Sequence, residues 1–365
     1  MKTILITGIG GPTPRSIART LRKHYPEYRL VGIDANPKAL GFFMPGLVDK
    51  YYVAPRITKK EYWPFIHDLI KKEGIDQAFV QPEMEVIGWG LFYRDFKRFP
   101  CPVLIPPFEL ATTLMDKSKM SEALRGTYFI PRTVNISQSD PKFDEIEASI
   151  GFPSWIRAIK GAGGLGSLKV LGKDNLISWL LINRHIDDFT VSEYLPGRHL
   201  ATEMLYFNGE YLKGASLECA EYVMASIAPS GVTGNTSFGR FLNEDHILKF
   251  CDECLQYICA NLGTKAHGVL SFDLKEDIQG NLKVTEVNIR HMAYTGVMAD
   301  VGFNLIEDTV DILSNNSSKT ITRQPYFKYD RPYVFLRDVD CEPIVLESED
   351  NFQTERTNNV TLGLI

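Results

Sequence analysis

Lys283-Val-Thr-Glu-Val-Asn-Ile-Arg-His291 is the stretch on which the reading of this chain turns. As an extended segment it sends Glu286, Asn288 and Arg290 to one face and Val287 and Ile289 to the other, because side chains alternate along a strand. A carboxylate, an amide oxygen and a guanidinium then stand in one row. Just upstream, GVLSFDLKEDIQGN (Gly268–Asn281) alternates apolar residues and ends in a Gly280-Asn281 turn. The two runs therefore read as a hairpin that brings Asp273 opposite Glu286. Two carboxylates and an amide are hard-cation ligands. Magnesium prefers such oxygens and shares them with substrate phosphates, while a neighbouring Arg suits a phosphoryl group in transfer. The competing reading is an exposed strand face whose charges pair across the sheet.

Two further stretches carry the same chemistry. In IRAIKGAGGLGSLKV (Ile156–Val170), glycines including Gly163, Gly164 and Gly166, with Ser167, lie between β-rich runs. Their free amides can close over phosphates, with Arg157 and Lys160 supplying charge. No G-K-[ST] follows and both flanks read as strands, so this is not a Walker loop; a plain glycine hairpin is the other reading. In TVSEYLPGRHLATEML (Thr190–Leu205), an extended run before Pro196-Gly197 exposes the backbone of Glu193, Tyr194 and Leu195, an edge able to read an adenine or simply a hairpin.

The chain opens MKTILITGIGGPTPRSIARTL, with strand, glycine turn and helix in the order of a dinucleotide-binding unit, and Asp34 where a ribose-binding acid would lie. The fingerprint departs in detail: Thr13 stands at the third glycine position, and Pro12 and Pro14 remove two backbone donors. Strand and helix signals alternate to about residue 110, which predicts a doubly wound parallel sheet, with PVLIP (Pro102–Pro106) as its last strand. Ligands collect at the carboxyl ends of such strands, where Glu83 and Glu85 of QPEMEV are candidates to face the crevice. Beyond residue 111 a helical stretch, LATTLMDKSKMSEALRG, leads into β-rich segments typical of an α+β unit. The end of the chain is polar, apart from a strand-like RPYVFLRDV.

With 365 residues the chain is long enough for two or three packed units. A hydrophobic fraction of 44%, a charged fraction of 23% and a net charge of -5 favour small ligands over nucleic acid. No apolar run approaches the roughly 20 residues that span a bilayer, and nothing after MKTILITGIGG looks like a cleavage site, so a cytoplasmic protein without a membrane partner is expected. Cys251, Cys254 and Cys259 sit at helical spacing in LKFCDECLQYICANL, without a second CxxC, and read as buried helix cysteines.

In order, MDKSKM, RAIKGAGGLGS, SEYLPG, SFDL and TEVNIR resemble the ATP-grasp superfamily, closest in texture to the carbamoyl phosphate synthetase large chain and small carboxylate-amine ligases. The resemblance covers residues 1 to about 310. It implies an α/β chain with a pre-ATP-grasp domain over 1–110, a small lobe over 111–190, a large lobe with the magnesium site over 191–315 and a C-terminal extension over 316–365. It implies ATP and Mg2+ as cofactors and an ADP-forming union of a small carboxylate with an amine through an acyl phosphate, and it leaves room for a homodimer. Lys117 matches the linker-helix lysine on ATP phosphate, Arg157 the basic strand residue, and Gly161 to Ser167 the covering loop. Glu193, Tyr194 and Leu195 match the adenine hinge, and Asp273, Glu286 and Asn288 the metal ligands. Arg290 matches the arginine beside the reacting phosphoryl group, with Lys160 as the other catalytic candidate. Ala158 replaces the expected proline, which leaves Arg157 and Lys160 as alternatives for the phosphate contact. His199 replaces a ribose-binding glutamate. Glu83 and Arg240, the latter closing SGVTGNTSFGR, are candidates to hold substrate, since Arg engages a carboxylate bidentately. A non-catalytic ATP-binding or regulatory module, and less so an NAD-dependent dehydrogenase, are the alternatives.

Overall fold

The computed structural model describes residues 2–159, 166–231, 233–338 and 344–347. The chain begins as the alternating signals require. Strands β1 (Thr3–Thr7), β2 (Arg29–Asp34), β3 (Lys50–Val53) and β4 (Gln77–Phe79) form a parallel sheet in the order β3-β2-β1-β4, wound with helices α1 (Pro12–His24), α2 (Tyr62–Glu73) and α3 (Glu83–Phe96). β1 is buried along its whole length, as a parallel strand covered on both faces must be. Its alternation feeds two cores: Leu5 joins Tyr62, Ile66 and Trp89, while Ile4 and Ile6 join Ile17 and Leu21 of α1. The expected last strand reduces to an isolated bridge from Val103 to Ala78. Pro102, Pro106 and Pro107 crowd that run and cannot donate to a ladder.

The helical stretch that follows is two helices, α4 (Phe108–Met115) and α5 (Lys117–Ala123). They break at Asp116, whose carboxylate caps α5 by accepting from the Ser118 and Lys119 amides. A four-stranded antiparallel sheet in the order β5-β8-β6-β7 comes next, from β5 (Thr133–Ser137), β6 (Ser154–Ala158), β7 (Leu168–Val170) and β8 (Asp188–Glu193), packed under α6 (Phe143–Ser149) and α7 (Lys173–Ile182). β6 and β7 are antiparallel partners, the expected glycine hairpin, and its residues 160–165 lie outside the described residues.

The largest sheet runs β13-β12-β9-β10-β11-β14-β15. It is built from β9 (His199–Phe207), β10 (Glu210–Tyr222), β11 (Thr236–Leu242), β12 (Gly268–Glu276), β13 (Leu282–Asn288), β14 (Val334–Leu336) and β15 (Ile344–Leu346). Helix α8 (Asp245–Leu262) covers one face with Ile247, Cys251, Leu255 and Ile258, and burial pushes its Cys259 thiol up to about 11. Its cysteines are core residues, and no group of three or more His, Cys, Asp or Glu suited to a metal occurs among the described residues. Two features cross the boundaries read from the sequence. After α9 (Thr295–Asp300), helix α10 (Leu305–Asn315) returns to the first sheet, where Ile306 and Val310 complete the core around Ile4 and Ile6. The strand expected in RPYVFLRDV is β14, which pairs with β11, so the C-terminal segment belongs to the large sheet. No helix among the described residues is long and apolar enough to cross a membrane.

Candidate active site

A cleft of about 1240 Å³ opens where the three sheets meet. Its floor is the β12–β13 hairpin. Asp273 and Glu286 are register partners, and Asn288, two residues along β13, donates its Nδ2 to Asp273 Oδ2 at 3.1 Å. Burial raises the Glu286 pKa; Lys117 opposes that shift and the neighbouring Asp273 adds to it. His199 at the start of β9 holds Nε2 3.7 Å from Asp273 Oδ1 and bonds the Tyr222 hydroxyl through Nδ1.

Positive charge converges from two other elements. Arg157, on β6, reaches across to donate Nη2 to the Thr285 carbonyl at 3.1 Å; desolvation lowers its pKa and Glu286 opposes the shift. Lys117 opens α5, where the Asp116 cap fixes the helix start. Its pKa is lowered by burial, with Glu286 and Glu83 pulling it back and Arg157 adding to the fall. Arg290, just past β13, donates Nη2 to Glu83 Oε1 at 2.9 Å, which ties the end of β13 to the first turn of α3. Glu83 lines the cleft, whereas Glu85 turns inward under Tyr62 and Thr7.

The remaining predicted residues divide. Ser167 and the Glu193–Leu195 segment line the cleft; the Glu193 amide donates to the Arg132 carbonyl at 3.0 Å, the Leu195 carbonyl accepts Lys275 Nζ at 3.3 Å, and Lys169 lies over the Tyr194 ring. Gly166 adopts φ +63 and its carbonyl accepts Trp179 Nε1 at 2.9 Å. Lys160, Gly163 and Gly164 lie outside the described residues. Arg240 does not line the cleft. It sits on β11 with Nη1 3.2 Å from Glu218 Oε2 and its guanidinium over Phe238, while Ser230, Gly234 and Asn235 of the same segment do reach the cleft wall. β11 begins at Thr236, and four residues of strand at about 3.3 Å each carry Arg240 roughly 13 Å onward.

Three successive amides of the N-terminal glycine turn are already committed. Ile9 N–H bonds the Ile33 carbonyl at 3.0 Å, Gly10 N–H bonds Asp34 Oδ2 at 2.9 Å, and Gly11 N–H bonds the Gly8 carbonyl at 2.9 Å. Asp34, the expected ribose ligand, also accepts from the Asn36 amide at 2.8 Å. A Cβ on Gly41 would meet the Ile9 carbonyl oxygen at 2.2 Å, so the segment after β2 seals the turn.

No protein-family model and no curated protein matches the sequence. Solved structures match across 92% of the chain. N5-carboxyaminoimidazole synthetase from Staphylococcus aureus, complexed with ADP, is 14% identical, with 82% of its chain covered and a TM-score of 0.67. The biotin carboxylase domain of Hydrogenobacter thermophilus 2-oxoglutarate carboxylase, in complex with MgADP and bicarbonate, is 14% identical, with 74% covered and a TM-score of 0.66. L-amino acid ligase from Bacillus licheniformis is 14% identical, with 79% covered and a TM-score of 0.63. The chain has the ATP-grasp fold. Within this ATP-grasp fold the cleft wall also includes Asn235, from the small-polar stretch SGVTGNTSFGR, and Tyr222 and Lys275, which sequence reasoning missed. Lys275 was legible as two residues beyond Asp273 on the same strand face; Tyr222, at the end of β10, carries no local signal.

Proposed function

We propose that the chain is an ATP-dependent carboxylate-amine ligase that forms ADP and phosphate. The observation that carries this reading is the convergence of Lys117 from α5, Arg157 from β6 and Asp273, Glu286, Asn288 and Arg290 from the β12–β13 hairpin and its exit on one cleft. ATP would lie with its base against Glu193–Leu195 and its phosphates toward Arg157, Lys117 and Ser167, with Lys160, Gly163 and Gly164 covering them and His199 near the ribose. Asp273, Glu286 and Asn288 would hold magnesium. They fit it, because two acids are register partners and burial disfavours the ionised form of one, so an added cation relieves an existing electrostatic cost. Magnesium bound there would neutralise phosphate oxygens.

The chain's own residues supply position and charge, the main requirements of phosphoryl transfer. Arg290, held by Glu83, stands beside the row of metal-type ligands and would stabilise charge on the transferred group. A substrate carboxylate oxygen attacks the γ-phosphorus as the bond to the ADP oxygen breaks. The amine nitrogen then attacks the acyl carbon, loses a proton, and phosphate leaves with the bonding pair. Glu83, which lines the cleft beside Arg290, would face the substrate. The spent amides of the glycine turn weigh against the dehydrogenase reading.

Isothermal titration tests the nucleotide assignment. ATP with magnesium should saturate one site that Glu286→Gln weakens, and NADH should give no heat; binding of NADH in preference to ATP would refute it.

A further inference from the structure

Glu203 lies midway along β9 with no exposed surface, between strands that contribute Ser271 and Ala215 as its register partners. A carboxyl group in such a place is costly unless paired, and an apolar residue would usually serve stability better. Its pairing is directed at one segment. Oε1 accepts the Met292 amide at 2.6 Å, and the nearby Thr295 hydroxyl favours the charged form of the carboxyl. Thr295 Oγ1 in turn lies 3.0 Å from His291 Nδ1; burial lowers the His291 pKa to about 3, so the ring is neutral and can give its single N–H to Thr295. Oε2 is buried without a hydrogen-bond partner. Arg290 and Tyr329 are the other ionisable groups that sense the carboxyl. The side-chain hydrogen bond of this acid therefore goes to the segment between β13 and α9 that carries Arg290.

We infer that Glu203 is a positioning residue: by holding the Met292 main chain from beneath the large sheet, it sets the path on which Arg290 enters the cleft. A buried backbone N–H needs an acceptor, and a carboxylate makes the shorter, stronger bond. Arg290 donates its other arm to the His291 carbonyl at 2.9 Å, so the guanidinium and the anchored turn move as one piece. The consequence for catalysis rests on the ligase reading above, whereas the anchoring itself does not.

The test compares Glu203→Met with Glu203→Gln in the full chain. In the nucleotide-free protein, Glu203→Met should speed amide hydrogen exchange across 290–295 by about tenfold while β9 and β13 keep their protection. In steady state it should lower kcat for ADP formation by about tenfold with the KM for ATP changed less than about threefold. Gln keeps an amide oxygen for Met292 and should restore both readouts to within about threefold of the unmodified protein. Unchanged exchange in a folded Met variant, a Gln variant as defective as Met, or a KM that rises as kcat falls would each overturn the inference. Should the Met variant fail to fold, the unmodified protein decides: a Met292 amide protected from exchange as strongly as those of β9 supports the anchoring, and one that exchanges as fast as an exposed loop amide overturns it. If the unmodified protein forms no ADP with any substrate pair, the ligase reading fails, and the exchange comparison alone decides the role of Glu203.

Discussion

Replacing Glu85 by Gln should stabilise the protein at pH 8 and destabilise it at pH 4.5. Glu85 lies in the first turn of α3, two residues past Glu83, but faces the opposite way. Its Oε2 accepts the Tyr62 hydroxyl at 3.0 Å, which itself accepts Trp89 Nε1 at 3.0 Å, and the Thr7 hydroxyl also bonds the carboxyl. Burial pushes the group from its ordinary 4.5 up to about 7, with a smaller push from Asp34, while the two hydroxyls oppose the rise. The folded state therefore keeps a proton that the unfolded chain releases above about 4.5. Stability falls as pH rises from there to about 7 and is flat beyond. At about 1.4 kcal/mol per pH unit this interval amounts to roughly 3 kcal/mol. Gln removes that loss but rearranges one hydrogen bond to a hydroxyl, at a cost of about 1 kcal/mol. The expected net effect is a gain of about 2 kcal/mol at pH 8 and a loss of about 1 kcal/mol at pH 4.5. Urea unfolding followed by tryptophan fluorescence at both pH values reads this as opposite shifts of the midpoint at constant slope. A midpoint shift of the same sign and size at both pH values would mean that Glu85 does not hold a proton in the folded state.

Glu286→Gln should leave the urea midpoint of the nucleotide-free protein unchanged or raised, because the charged form is disfavoured by burial there. Its magnesium-dependent ATP turnover should fall by roughly 100-fold, and unchanged turnover at saturating magnesium would count against the ligand assignment. Arg157→Ala should weaken ATP binding by about 1 to 3 kcal/mol, measured by titration, while Lys160→Ala does less; the reverse order would give the phosphate contact to Lys160. Arg290→Ala should raise the barrier to ADP formation by roughly 3 kcal/mol with a much smaller change in ATP affinity, and equal losses in both would mean that Arg290 only binds ground-state nucleotide.

What the sequence revealed about this site came from local periodicity. Alternation in Gly268–Glu276 and Leu282–Asn288 announces the hairpin, but a two-residue Gly280-Asn281 turn would face Asp273 with Asn288; the longer turn over 277–281, with Gly280 at φ +83, and a bulge beside Asp273 set it opposite Glu286. Arg157 and Lys117 were named from motif order, yet their approach to Glu286 depends on how the small antiparallel sheet and α5 pack against β13, which no local pattern encodes. Arg240 was misplaced for the opposite reason: small polar residues suggested a loop up to its end, and the β-ladder of Thr236–Leu242 with β10 took over first. Prolines around Val103 undid a strand that its apolar residues favoured. The return of Ile306 and Val310 to the first core pairs positions about 300 residues apart in sequence, and a single helix's amphipathicity does not name its partner. Glu203 offered one visible hint, an acid in the apolar run HLATEMLYF, but its partner amide belongs to Met292.

The central claim is that the convergent charges act on a phosphoryl group in transfer, and ADP formation measures this directly. With ATP and magnesium present, the protein should be challenged with a panel of small carboxylates, each alone and with amines that include amino acids. One carboxylate-amine pair should raise ADP formation by at least about tenfold over ATP alone, with phosphate released in equal amount and an amide as the other product. If ATP binds at the cleft but no pair raises ADP above the unstimulated rate, the ligase reading is contradicted and the cleft is that of a nucleotide-binding protein.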